Sequence, residues 1–327
     1  ARLGDVVLLL PALGQLKHLF PGASLSLMTG DRYAPIARLC PFLDEVLAVD
    51  RLAMRDGSKV ATLFDIATLV RKLRRDRFDM VIDFHSFRET NLLSWISSAR
   101  YRVGLKRADR GYLPFCFNLP PIIEDKGIHV AKMFERVANN ISGAKAEQLF
   151  ESPLLCIPSD VRSRAEMLIG AAKPRVALYV GASVMERRWP SRRFAALADY
   201  IVSSWGVDVL ILSGASEAEE RIAKEVHELV RNYESVQVFN RLRVEELAAM
   251  IDSVSLMISN DSGPMHIGSA LGVPTLGIFS LSLPVHYRPI GNHDRYIKKN
   301  LVDDIRIEEV TEIADQMWIT ASPGHLP

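Results

Sequence analysis

From residue 176 to residue 279, short apolar, β-branched runs alternate with longer stretches in which apolar positions recur every three or four residues. The runs 176–180, 207–212, 236–239, 256–258 and 275–279 predict strands, and the 3.6-residue period predicts helices over 194–204, 217–231, 244–251 and from Pro264 onward. Strands apolar on both sides are what a parallel sheet covered on both faces requires, and the alternation predicts a doubly wound α/β fold. The first half repeats the pattern less regularly, with strands over 24–28, 45–49 and 80–84 and helices over 10–19, 33–38 and 62–73. Gly4-Asp5-Val6-Val7 reads as the turn after a strand that precedes the given residues, and 6–10 as a buried strand or helix start. A Pro-punctuated segment over 152–159 is expected to link two Rossmann-like domains, 1–155 and 156–327, facing a central cleft, with the last helix able to pack back on the first.

The 327 residues, 48% of them hydrophobic, suffice for two ordinary domains, and no run approaches the ~20 apolar residues needed to cross a bilayer. The opening Ala1-Arg2-Leu3-Gly4-Asp5 lacks the pattern of a secretory signal, so a cytoplasmic location is the expectation. Cys40, Cys116 and Cys156 fit neither a disulfide framework nor a metal cluster and read as buried, inert thiols. A net charge of +1 gives no general attraction to nucleic acid. The cations are nevertheless uneven: Arg71, Lys72, Arg74, Arg75 and Arg77, then Arg100, Arg102, Lys106, Arg107 and Arg110, crowd the first half. They form either a solvated helix face and loop or a surface for an acidic acceptor or an anionic membrane leaflet.

The chemistry concentrates in 259–275. The apolar run over 255–259 ends in Asn260-Asp261-Ser262-Gly263, suited to a tight turn and to capping, and Pro264 stands where the first turn of a helix tolerates it. The free N–H groups and positive dipole end of that helix would face the ligand crevice beyond the strand ends, where an anion is the natural guest. An ordinary capped turn without a ligand is the alternative.

Taken in order, Gly4-Asp5-Val6-Val7, Pro11-Ala12-Leu13, Phe20-Pro21, the stretch 77–83, Arg102-Val103-Gly104-Leu105, Gly181-Ala182-Ser183, Arg187-Arg188-Trp189-Pro190 and the stretch 260–266 resemble glycosyltransferase family 9, the ADP-heptose:lipopolysaccharide heptosyltransferases. The resemblance covers nearly the whole chain. It implies a GT-B fold with the sugar nucleotide on the C-terminal half and the acceptor, a Kdo or heptose of lipid A-linked core, on the N-terminal half. It also implies inverting transfer from ADP-L-glycero-D-manno-heptose without metal or cofactor, and work at the cytoplasmic face of the inner membrane. Another sugar nucleotide or acceptor, or a nucleotide-sugar-binding module without turnover, are the alternatives.

Transfer of this kind breaks a bond between an anomeric carbon and a diphosphate, so preorganised donors must take up the leaving group's charge. Arg187 and Arg188, after the 176–180 strand, are the candidate cations. The family usually has Lys where Arg187 stands, and the two are not interchangeable. The resemblance makes Asp5 the base, an assignment that competes with a helix-cap role. It extends the donor site to Ser183, Asp261, Ser262, Gly263, Pro264, Met265 and His266, the last equally consistent with a structural histidine. Glu217 fits the family's ribose-binding acid, with Glu219 as the register alternative, and His85 and Arg88 are candidate acceptor contacts after the 80–84 strand. Trp189 reads as packing.

Overall fold

Six strands of the second half form one parallel sheet, whose central strands are buried on both faces by helices on each side. The computed structural model describes residues 2–50, 59–143, 153–170 and 174–321. In the N-terminal half these are α1 (Leu3–Val7), α2 (Leu10–Leu19), β1 (Ser26–Gly30), α3 (Ala34–Ala37), β2 (Glu45–Val49), α4 (Lys59–Arg75), β3 (Met80–Asp83), α5 (Arg88–Ile96), β4 (Tyr101–Lys106), β5 (Ile122–Ile123) and α6 (Val130–Ser142). The C-terminal half follows with α7 (Ser159–Ile169), β6 (Arg175–Tyr179), α8 (Ser191–Trp205), β7 (Asp208–Leu212), α9 (Glu217–Leu229), β8 (Val236–Phe239), α10 (Val244–Asp252), β9 (Leu256–Asn260), α11 (Gly263–Leu271), β10 (Thr275–Phe279), α12 (Pro284–Tyr287), β11 (Arg295–Lys298) and α13 (Ile307–Ala321).

The large sheet runs β11-β10-β9-β6-β7-β8, so its order reverses between β6 and β9. Strands β6, β9 and β10 are buried at every residue. In the N-terminal half the parallel strands divide into β1–β2 and β3–β4–β5, two small sheets rather than one. No described helix is long and apolar enough to cross a membrane.

Four expectations are corrected by packing. Residues 3–7 are a helix, not a turn, because Val6 and Val7 bury one side and the Asp5 carboxylate caps the start. The linker stretch, whose Ser152 lies outside the described residues, is not a loose connector. Leu154 and Leu155 are buried, the Leu154 N–H donates to Ala270 O at 2.7 Å, and the Cys156 N–H donates to Leu39 O at 2.8 Å. The chain between the halves is therefore extended, packed backbone that ties α11 to the end of α3. The last helix packs on α8, not on the N-terminal half: Trp318 stacks on Trp205, and Asp315 accepts from Tyr200 and Trp205. Cys156 is exposed, whereas Cys40 and Cys116 are buried and burial pushes the Cys40 thiol up to about 11.

One apolar core crosses from half to half, with Leu10, Ile36 and Leu155 clustered with Met250 and Ile267. A second fills the far face of the large sheet under α8, α9 and α13.

Candidate functional site

The reversal of strand order puts the loops after β6 and β9 side by side, and one buried amide locks them. Asn260, fully buried at the end of β9, donates from Nδ2 to Val180 O at 2.8 Å and accepts from the Trp189 N–H at 3.0 Å. Trp189 is buried, packs edge-on against Phe194 and donates from its indole to Ile305 O at 2.9 Å, so it anchors the loop as packing. Between these anchors Arg188 Nε donates to Ala182 O and Ser280 Oγ donates to Glu186 O, which fixes the loop's path. Arg187 Nη1 then meets Asp261 Oδ2 at 3.3 Å, the guanidinium a quarter exposed and the carboxylate 5% exposed. Burial raises the Asp261 carboxyl above its ordinary range, opposed by the Ser282 hydroxyl and by Arg187. Ser183 and Arg187 lie in this loop, but Ser183 is exposed and Arg188 is committed to Ala182.

Ser262 is the N-cap of α11, extended at φ −151°, yet its hydroxyl turns to Ser259 Oγ at 3.2 Å instead of capping the helix. The first-turn N–H groups are left to another acceptor. Two residues read as donor contacts take other places. Met265 is fully buried, its sulfur against Gly277 beneath β10, and only its backbone belongs to the turn. His266 is buried and pressed under α1, and desolvation lowers its imidazole to about 3, so it is a neutral packing residue.

Helix α1 lies directly on the start of α11. A methyl group at Gly4 would stand 3.0 Å from His266 Cδ2, and one at Gly263 would stand 2.9 Å from Leu3 Cδ2, so both glycines permit the close approach. This seats the helix that carries half-buried Asp5 on the start of α11, although some 255 residues separate them in the chain. Its Oδ2 accepts from the Arg2 N–H at 2.8 Å, which makes Asp5 the third residue of the helix's first turn rather than its N-cap.

Of the two acids at the start of α9, Glu217 points away, its side chain 85% exposed beside Arg221. Glu219 is the one that reaches the strand ends: Ser216 Oγ donates to its Oε2 at 2.9 Å, and its carboxylate rests against Gly181 and Gly214. A side chain at either glycine would displace that carboxylate.

Across the seam, Asp83 at the end of β3 organises the loop. Its Oδ1 accepts from the His85 and Ser86 N–H groups at 2.8 and 2.9 Å, and its Oδ2 accepts from Thr90 and Asn91 at 2.7 Å each. Ser86 adopts a left-handed φ of 60° inside this grip. Burial lowers His85 to about 3, with the Asp5 charge opposing and Arg110 and Arg107 reinforcing. Arg110 donates from Nη1 to His85 O at 2.7 Å and covers the Phe87 ring at 4.2 Å. Arg107 lies 3.6 Å from Glu124 and feels both Asp5 and Tyr287 of α12. Arg88, by contrast, is exposed and lies along Gly111. Sequence reasoning missed Arg107 and Arg110 as seam residues because it did not identify β4; both follow that strand's carboxyl end as His85 follows that of β3.

The sequence pattern of "Glycosyltransferase family 9 (heptosyltransferase)" matches residues 66–312. The lipopolysaccharide core heptosyltransferase OpsX of Haemophilus influenzae is 24% identical over 234 residues, which is 71% of this chain and 65%, just under two thirds, of that protein. A glycosyltransferase family 9 structure from Veillonella parvula superposes with a TM-score of 0.85 at 22% identity, covering 98% of this chain and 95% of the other. The Escherichia coli heptosyltransferase WaaC with ADP superposes with a TM-score of 0.81 at 16% identity and 97% coverage of both chains. These likenesses establish the GT-B arrangement of the fold.

Proposed function

Because this chain belongs to glycosyltransferase family 9, the heptosyltransferases, we propose that it moves heptose from an ADP-linked donor to an inner-core sugar of lipopolysaccharide, with inversion and without a metal. The observation that carries this reading is the seating of α1, the helix that bears Asp5, on the start of α11, whose cap carries no side-chain hydrogen bond. The printed functions of the relatives support it: a lipopolysaccharide core heptosyltransferase among the sequences and a heptosyltransferase with ADP among the structures.

In this reading residues 1–155 receive the acceptor and 156–327 hold the donor. The diphosphate lies against the open N–H groups of α11, where the dipole favours negative charge, and beside Arg187. Glu219 accepts from the ribose hydroxyls. Asp5 takes the proton of the acceptor hydroxyl as that oxygen bonds the anomeric carbon from the face opposite the diphosphate. The bond from carbon to phosphate oxygen breaks, and ADP departs with the electron pair, its charge met by Arg187 and the helix end. Asp261 holds the Arg187 guanidinium in position. The acceptor is borne on lipid A, so the protein works at the cytoplasmic face of a membrane.

Incubation with ADP-L-glycero-D-manno-heptose and Kdo-lipid A should release ADP in step with the gain of one heptose on the acceptor by mass spectrometry. Tight ADP binding with a verified acceptor and no product would overturn the transfer reaction. Within that assay Glu219→Gln should raise the donor KM roughly tenfold by weakening charge-assisted hydrogen bonds, whereas Glu217→Gln should leave it unchanged. The reverse order would remove Glu219 from the donor site.

A further inference from the structure

Helix α5 begins at the acceptor side of the seam and carries an outward stripe that the core does not use. Arg88, Leu92 and Trp95 follow a four-and-three spacing, which aligns them on one side of the helix over about 10 Å. Leu92 is 38% exposed and Trp95 is 51% exposed, unusual for residues of this size on a helix whose inner side is supplied by buried Asn91 and Ser94. Phe115, 62% exposed in the turn that follows β4, meets Trp95 edge-on with ring centroids 6.2 Å apart. The pair forms a raised aromatic ridge rather than scattered single exposures.

Cations rim the ridge. Arg74 at the end of α4 donates from Nε to Ile96 O at 3.3 Å, beside Trp95. Arg100, past the end of α5, lies over the exposed ring of Tyr101 at 5.2 Å. Arg88 closes the end nearest the seam. Glu89, the acid on this helix, flanks the stripe about 100° from Arg88 and about 60° from Leu92.

An aromatic and aliphatic ridge that reaches the depth of lipid headgroups, rimmed by guanidiniums, is complementary to an anionic bilayer and to no neutral apolar partner. We infer that the ridge formed by Leu92, Trp95 and Phe115, with Arg74, Arg88 and Arg100 around it, docks the protein on an anionic membrane surface and turns the His85 and Asp5 side of the seam toward that surface. The inference rests on the proposed lipid-borne acceptor for its purpose, but the docking itself depends only on the ridge.

Flotation of the full chain with vesicles tests it. Vesicles of phosphatidylethanolamine with a third phosphatidylglycerol should carry the protein upward, whereas phosphatidylcholine vesicles should carry little. Trp95→Ser combined with Phe115→Ser should lower partitioning at least about tenfold, and Arg74→Ala with Arg100→Ala should lower it about twenty-five-fold on anionic vesicles alone, near fivefold per charge. Circular dichroism and ADP affinity report whether each variant stays folded with its donor side intact. Wild-type partitioning by both double variants, equal binding to the two vesicle types, or dimerisation through the ridge in place of vesicle binding overturns the inference. Vesicle binding without ADP-heptose binding would fault the proposed reaction and leave the docking surface standing.

Discussion

Replacing Asp5 by Asn should slow heptosyl transfer about a thousandfold, the range expected for loss of a positioned general base, while ADP-heptose binding changes by less than about twofold. The substitution separates chemistry from architecture. Asn keeps an oxygen that can accept the Arg2 N–H, the bond that closes the first turn of α1, so the helix and its seat on α11 are retained. The half-buried side chain gains no bulk. What disappears is the capacity to take a proton from the acceptor hydroxyl. Single-turnover kinetics, donor titration by calorimetry and circular dichroism read the three quantities independently. Full transfer activity in the Asn variant would remove Asp5 from the mechanism, and loss of donor binding together with activity would recast it as a structural residue of the seam.

The second large effect is expected at Arg187. Arg187→Ala should lower kcat about a hundredfold, as removal of one preorganised donor to a developing negative charge does elsewhere, and should also lower stability by roughly 1–3 kcal/mol. The two losses have different origins. The kinetic one is the cation missing from the leaving diphosphate. The stability loss arises because Asp261, 5% exposed, would be left in a dry pocket without its partner at 3.3 Å. Burial already raises the Asp261 carboxyl, and loss of Arg187 would raise it further, so the variant's stability should fall more than the wild type's as pH rises from the ordinary carboxylate range through the raised one, where the folded state keeps a proton that the unfolded state releases. Arg187→Lys retains the charge and matches the residue usual in the family, and should recover most of the kinetic loss. Equal defects in the Ala and Lys variants would show that the planar fork on Asp261, and not the positive charge, matters.

How much of this was legible before the fold was seen differs from element to element. Strands 236–239 and 275–279 and the helix over 10–19 agree with the structure residue for residue: Ser235 and Asn240, and Pro274 and Ser280, bracket the strands, and Phe20-Pro21 ends the helix. β11 escaped because an edge strand reading Arg-Tyr-Ile-Lys buries a single side chain well and offers no apolar run. α13, expected as the last helix, shows in Val310, Ala314, Met317 and Trp318, which repeat at helical spacing. Its docking on α8 could not, since the Asp315 bonds to Tyr200 and Trp205 join positions more than a hundred residues apart.

Local chemistry, then, was sufficient for the turn at Asn260 to Gly263 and for a helix opening at Pro264, because each depends on neighbours within one turn of chain, whereas the packing of Trp189, legible from its residue type, is completed by the remote Asn260 and Ile305. The tertiary structure alone decided that Glu219 and not Glu217 lies over Gly181 and Gly214, that His266 and Met265 are buried beneath the turn, and that Arg107 and Arg110 surround His85. Those outcomes are set by which strand ends a parallel sheet brings together and by how closely α1 can approach α11 across two glycines. Such distances are fixed by packing between remote segments, a quantity that hydrophobic period and residue type along a single chain do not encode.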